Sequence, residues 1–366
     1  MIALAAAVTV FASGEGGYNT YRIPALVRTT KGSLVAFVEA RASQADAANN
    51  AIVTKISEDG GTTWGKLGVC QSPILTPQPP LHRMERGSFG GSFNNPCVVE
   101  NRSGRLIVHF QHYPKDTHEY DVEAGFSGPK VVRGFQTESR DGGKSWSAPR
   151  DITPEIKPPD AVTIASGPGV GIRLERGKHK NRLVMPYNYR VGKRWWVYCA
   201  YSDDDGRHWK RGARVEQPEE MNANEVQVVE LTSGDVLLNA RNQAKRKERC
   251  ISLSHDGGAT FVPAAFEFKL IDPVCQASMI RLNDGILAFC NPMHQTKREN
   301  GMIQFSWNEG RIWSASMQIE PGSFQYSCMV ELPQQQIGVL YETVVNGSYQ
   351  IRYQRIPSPR APGQMF

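Results

Sequence analysis

Short apolar, strand-like runs separated by polar and Gly-bearing turns recur through the 366 residues, and helical periodicity is weak throughout. Such short runs bounded by turn residues mark β-strands. The runs fall into sets of three: 22–28, 33–41 and 51–57; 96–100, 105–112 and 134–139; 169–175, 182–189 and 195–202; 225–231, 235–241 and 249–254; 276–282, 285–291 and 302–306; 327–332, 336–342 and 349–355. Gly-bearing pairs join the first two strands of several sets (Lys31-Gly32, Ser103-Gly104, Ser233-Gly234, Asp284-Gly285), as tight hairpins require. One helical turn is predicted at 219–223. The Pro-rich 73–80 reads as a loop and 357–366 as a terminal arm.

A single turn motif punctuates the sets. Ser57-Glu58-Asp59-Gly60-Gly61-Thr62-Thr63-Trp64 recurs at Ser139–Trp146 and Ser202–Trp209, and more loosely at Ser254–Phe261 and Ser306–Trp313, where Asn308-Glu309 departs from the pattern. Recurrence of one turn means repetition of one supersecondary unit. Asp-Gly between strand runs is a hairpin signal, and the aromatic at the eighth position buries its ring against the strand layer. Sets one to five end in this turn, which leads to a fourth, outer strand, and the sixth set lacks it. A ring of blades must close or leave an open edge. The strand-like Val8-Thr9-Val10-Phe11 is available to close it. The fold expected is all-β: a six-bladed β-propeller of four-stranded antiparallel blades, closed by its N-terminal strand, forming one domain over 1–366 with no linker to a second.

Composition narrows this only slightly. Hydrophobic content of 40% and charged content of 21% are those of a globular chain, and no apolar run is long enough to span a bilayer. The formal net charge of +6 is mild and scattered, which points away from nucleic acid and gives a weak attraction for anionic substrates. Seven Cys is an odd count with no CxxC pair, so small buried hydrophobes are expected rather than disulfides or a metal site. Residues 1–8 are apolar but lack a basic leader. The compartment stays open: secreted or periplasmic if this is a trimmed export signal, cytoplasmic otherwise. A monomer is expected.

Strand alternation decides which end carries the chemistry. If each first strand begins at the top, second strands end there, third strands start there, and every repeated turn falls at the bottom. Arg22 and Glu225 begin first strands, and Tyr326 just precedes one. Arg41, Arg241 and Glu342 end second strands, as do Tyr187 and Tyr189. Asp46 and Arg298 lie in connections from second to third strands. All of these project to the top, where converging loops make a concave site. A lone Arg there would be a surface charge, and a lone Tyr a packed ring with a wet hydroxyl. Several arginines at one face repel one another, a cost that an anionic ligand relieves, and their planar forks match a carboxylate bidentately.

With these residues in place, the chain resembles the cellular and bacterial sialidases (neuraminidases) over essentially its whole length. Tyr21-Arg22-Ile23-Pro24 looks like their arginine-isoleucine-proline motif, and the five turns look like their Asp boxes. More specific are Glu39-Ala40-Arg41 with Asp46, Asn224-Glu225-Val226-Gln227, Leu238-Asn239-Ala240-Arg241, and Tyr326-Ser327 followed by Leu340-Tyr341-Glu342. The resemblance implies that Arg22, Arg241 and Arg298 hold the sialic acid carboxylate, with Asp46 as acid/base, Tyr326 as nucleophile and Glu225 as its partner. It further implies that Glu342 orients Arg22, that Arg41 holds the sugar near O4, and that Tyr187 and Tyr189 line the glycerol and N-acyl side.

The function expected is a retaining exo-α-sialidase acting on sialylated glycans, glycoproteins or glycolipids without cofactor or metal. A phenol suits a substrate whose anomeric carbon already bears a carboxylate, which would repel an anionic nucleophile. Asp46 is expected to be protonated at rest and to serve as acid, then base. Transfer to another glycan, cleavage of a related nonulosonic acid (KDN-type), and non-catalytic glycan binding remain open alternatives.

Overall fold

The computed structural model describes residues 6–73, 90–244 and 246–359. Its described strands form six sheets. In chain order, blade 1 comprises Thr20–Arg28, Leu34–Arg41, Ala51–Ser57 and Gly68–Gln71, and blade 2 comprises Ser92–Glu100, Leu106–Tyr113, Arg133–Ser139 and Arg150–Asp151. Blade 4 comprises Ala223–Glu230, Val236–Asn242, Glu248–Ser254 and Ala265–Ile271, and blade 5 comprises Ser278–Arg281, Leu287–Pro292, Glu299–Ser306 and Ala315–Ser323. Blade 6 is Ser327–Leu332, Gln336–Val345 and Ser348–Pro357, completed by Val8–Ala12 as its outer strand. The first strand of the chain thus pairs antiparallel with the last, Val8 opposite Tyr353, and closes the ring as expected.

Blade 3 departs from the predicted pattern. Its inner strand begins earlier, at Thr163–Ser166, breaks at Gly167-Pro168, and resumes as Ile172–Arg173 beside Leu183–Val191. Between the two pieces, Gly169–Val170 crosses to pair in parallel with the inner strand of blade 2. Pro removes a ladder donor and Gly tolerates the resulting turn, so the break falls where the sequence puts both. The helical turn lies at Thr153–Ile156, opened by Pro154, and not at 219–223, where only a bend of the turn type forms. Most of the Pro-rich 73–80 and of the tail 357–366 lies outside the described residues. The seven cysteines are buried and free, most of them within strands.

The repeated turn holds neighbouring blades together. Ser57 Oγ accepts the Gly61 N–H at 2.8 Å and donates to Asp59 at 2.8 Å, and Asp59 in turn accepts the Thr63 N–H at 2.9 Å. The same pattern recurs around Ser139, Ser202, Ser254 and Ser306, with Asn308 taking the Asp role in the last. The closing aromatic then reaches the preceding blade. Trp64 of blade 1 meets Tyr353 of blade 6 edge-on at 5.3 Å, Trp146 of blade 2 meets Phe37 of blade 1 at 5.5 Å, and Trp209 of blade 3 meets His109 of blade 2 at 4.4 Å. The second glycine of the turn sits directly on that neighbour. A Cβ on Gly61, where φ is +91°, would fall 1.9 Å from the Tyr353 ring.

Gly142 supplies a control, because its φ is also positive (+73°) but nothing lies within 4 Å of an added Cβ. Gly61→Ala is expected to lower the apparent Tm by about 1–4 °C more than Gly142→Ala, since overpacking costs about 1–3 kcal/mol beyond the backbone strain that both share. Equal melting temperatures by differential scanning calorimetry would contradict a packing role for this glycine.

Candidate active site

The inner strands of blades 1, 2 and 4 are bulged at the end where they begin, between Arg22 and Ala25, Asn94 and Cys97, and Asn224 and Val226. A bulge re-aims side chains and frees backbone groups from the ladder. In blade 1 it places Ile23 at φ +60°, and in blade 2 it places Asn95 at φ +54°. The left-handed region is a strained conformation for a β-branched residue and persists only where surroundings impose it.

A buried carboxylate imposes it in both cases. Glu342, from the second strand of blade 6, accepts the Ile23 N–H at 2.6 Å and pairs with Arg22 Nε at 2.9 Å. Glu39, from the second strand of blade 1, accepts the Asn95 N–H at 2.7 Å and pairs with Arg41 at 2.6 Å. Each carboxylate therefore fixes the bulge of the next blade and orients an arginine at once. Glu39 stands in the sequence two residues before Arg41 on the same strand face, and that spacing was the available signal for its role.

Tyr326 stands at the centre. Its hydroxyl donates to Glu225 and lies 3.0 Å from Arg241 Nη1, which also pairs with Glu225 at 2.6 Å. The guanidinium carbons of Arg22 and Arg298 lie 5.7 Å and 5.6 Å from the centre of its ring. Arg298 is held by the carbonyl of Val274 at 2.9 Å, and Gln243 meets the far side of Arg241 at 3.1 Å. Burial works against the charge of each of Arg22, Arg41 and Arg241, but Glu342, Glu39 and Glu225 respectively outweigh it and keep all three above their ordinary pKa. Burial, then the charge of Glu225, pushes the Tyr326 phenol well up, against the pull of Arg241 and Arg298. Beneath the site, polar side chains close the channel: Gln276 bridges to the Ser327 carbonyl at 3.0 Å and Gln227 to the Pro168 carbonyl at 2.8 Å.

Asp46 stands on the connection after the second strand of blade 1, with its side chain 79% exposed and paired with Arg41 at 2.7 Å. Asn50 and Asn94 hold its backbone carbonyl at 2.6 Å and 2.9 Å. Burial of the carboxyl is outweighed by Arg41, with Arg22 and His118 adding to it, so its pKa lies below the usual value. The expectation of a protonated Asp46 at rest therefore needs correction: the ligand-free site holds it as a carboxylate. The structure gathers Arg22, Arg41, Asp46, Glu225, Arg241, Arg298, Tyr326 and Glu342 around one mouth. Asp46, Arg41, Glu225 and Tyr326 line a cavity of about 130 Å³ together with Asn94 and His118.

Tyr187 and Tyr189 lie elsewhere. Tyr187 is fully buried between blades 2 and 3, stacked on Tyr198 and hydrogen-bonded to His109 at 2.7 Å. Tyr189 packs edge-on against Tyr198 in the same cluster. They alternate toward the interface between blades, and neither lines the cavity. The cavity takes Tyr113, His118 and Glu119 instead, from or beside a long connection in blade 2 whose sequence carries no periodic signal.

A BNR repeat-like domain matches residues 75–339. A sialidase of Micromonospora viridifaciens is 33% identical over 351 residues, covering 90% of this chain and 51% of that protein. The chain belongs to the sialidase family. A sialidase of Bacteroides fragilis is 28% identical, covering 91% of this chain and 62% of that protein. The chain thus spans between about half and two thirds of the length of these curated relatives. The structure of a Hadza microbial sialidase superposes with a TM-score of 0.84 at 24% identity, over 96% of this chain and 68% of that one, which establishes the shared propeller fold.

Glu342 is 0% exposed and holds Arg22 and Ile23 together. Glu342→Ala is expected to cost about 3–5 kcal/mol in denaturant unfolding, because it strands a buried cation and a strained bulge, and Glu342→Gln less. A loss under 1 kcal/mol for Glu342→Ala would contradict that arrangement.

Proposed function

We propose that this family member is a retaining exo-α-sialidase, and the observation that carries the reading is the Tyr326 hydroxyl held between Glu225 and Arg241 within three arginines. Arg22, Arg241 and Arg298 receive the substrate carboxylate, and the ring of Tyr326 between them lies below the anomeric carbon. Glu225 takes the phenolic proton as the phenolate oxygen bonds to that carbon. Charge moves from carboxylate to phenolate, and Arg241 already touches both oxygens, so little reorganisation is needed. The high intrinsic pKa of the buried phenol keeps it neutral until then, which spares the approach of two anions.

The glycosidic bond breaks as Asp46 gives its proton to the leaving oxygen. That proton arrives only when the substrate separates Arg41 from Asp46. The freed carboxyl, beside the substrate's own carboxylate and shielded from water, then rises in pKa. In the second displacement Asp46 takes a proton from water, water oxygen bonds to the anomeric carbon, and the tyrosyl bond breaks with the proton returning from Glu225. Two displacements retain configuration.

Wild-type protein is expected to release fluorophore from an α-sialoside, and Tyr326→Phe to lose about a thousandfold or more in kcat while still binding sialic acid. A wild type that binds sialyllactose but never turns over from acid to neutral pH would replace this reading with a glycan-binding propeller. By NMR, the α-anomer appears first; a β-anomer first would exclude the double displacement. A depressed Asp46 stays charged above its lowered pKa, so kcat/KM falls as pH rises through that value. Arg41→Gln removes the main depressing charge and should move this basic limb to higher pH while lowering kcat/KM overall. An unmoved limb would separate Asp46 from the limiting protonation.

A further inference from the structure

The proposed site explains where the sialyl unit sits but leaves the aglycone without a partner. If Asp46 protonates the leaving oxygen, the aglycone leaves the cavity on the Asp46 side. The wall on that side is His118 and Glu119, and His118 is near enough to Asp46 to draw its pKa down. Two residues further on, Tyr120 is 69% exposed, the largest fraction among the described large hydrophobic side chains that are exposed. Tyr120 stands beside His118, which lines the cavity, and a ring left mostly in water contributes little to the core.

The ring is held in place. His118 and Tyr120 lie nearly parallel, 16° apart with centres at 5.9 Å. Contact stacking needs about 3.5–4 Å between planes, so the rings are displaced sideways and expose most of their faces. The charge of Glu119 raises the pKa of the Tyr120 phenol, and the Glu119 carbonyl accepts from Arg190 Nη2. Arg190 is itself buried on Leu183–Val191, gripped by the Gly192 carbonyl at 2.6 Å, with its guanidinium 5.1 Å from the Tyr120 ring centre. Asp121 N–H closes the turn on the His118 carbonyl at 2.9 Å. The exposed ring thus stands on a buried cation from the neighbouring blade, which restricts its motion before any ligand arrives.

We infer that Tyr120, with His118 beside it, is the platform on which the sugar next to the sialyl unit rests, and so sets which aglycones are used. This rests on the sialidase reading above. The negative face of an aromatic ring attracts the slightly positive C–H edges on the apolar face of a galactose-type pyranose. Tyr120 is a specificity-determining residue in this account. It touches the leaving group and no bond-breaking atom.

The test combines a contact measurement with kinetics. In saturation-transfer NMR with S-linked sialyllactose, which is not hydrolysed, the lactose ring protons should receive signal from the wild type, lose most of it in Tyr120→Ala and keep it in Tyr120→Phe. The KM for sialyllactose should rise about three- to tenfold in Tyr120→Ala, stay within twofold of wild type in Tyr120→Phe, and be unmatched by any change in Ki for 2,3-didehydro sialic acid, which has no aglycone. Lactose signal retained in Tyr120→Ala, or a parallel loss of the aglycone-free inhibitor, would overturn the platform. Absence of turnover in wild type would defeat the hydrolase reading alone, because the NMR contact does not depend on cleavage.

Discussion

Everything about this molecule depends on blades being held in a closed ring. Pairing of Val8–Ala12 with Ser348–Pro357 closes the ring, and the repeated turns of blades 1, 2 and 3 press each onto the blade before it. Only in a closed ring do inner strands from blade 1, blade 4 and blade 6 deliver Arg22, Glu225 and Tyr326 to one axis. Those residues are separated by roughly one hundred to three hundred positions in sequence, and no local element could bring them together. The turns lie at the opposite end from the cavity. They govern the chemistry indirectly, by setting the angle between blades to which hydrogen-bond distances at the mouth are sensitive.

At the mouth, charge is balanced in small units. Arg22 has Glu342, Arg41 has Glu39, and Arg241 has Glu225, while Arg298 leans on a backbone carbonyl. Buried charge is tolerated only when paired. These pairs keep four cations close together without a ligand, and their carboxylates also fix the strained bulges at Ile23 and Asn95. The exposed Asp46–Arg41 pair is the exception. In the proposed reaction it is the pair that the substrate opens, so that Asp46 gains its proton on binding.

The sequence made the scaffold legible because the repeated turn works as a ruler: counting strands from Ser57 and its copies gives each residue its end of the propeller. It also revealed the charged residues that have no business at strand ends. Alternation failed at Tyr187, since a period of two tells which residues share a face and not whether that face meets solvent or the next blade. Leu183, Met185, Tyr187 and Tyr189 share one face, and that face is core. Gly167-Pro168 marks the break in blade 3, but no local pattern tells that Gly169–Val170 crosses to pair with blade 2. His118 and Tyr120 lie on a long connection whose path follows from tertiary contacts such as Arg190, which no local pattern encodes.

The central claim is that the Tyr326 oxygen forms the covalent bond. It is tested most directly by mass spectrometry after reaction with a 2,3-difluoro sialosyl fluoride-type inactivator, whose fluoride leaves while the 3-fluorine slows the second displacement. The account predicts a sialyl adduct on the peptide carrying Tyr326, absent in Tyr326→Phe. An adduct on Glu225 or Asp46, or rapid turnover of natural substrate with no trappable adduct, would contradict it.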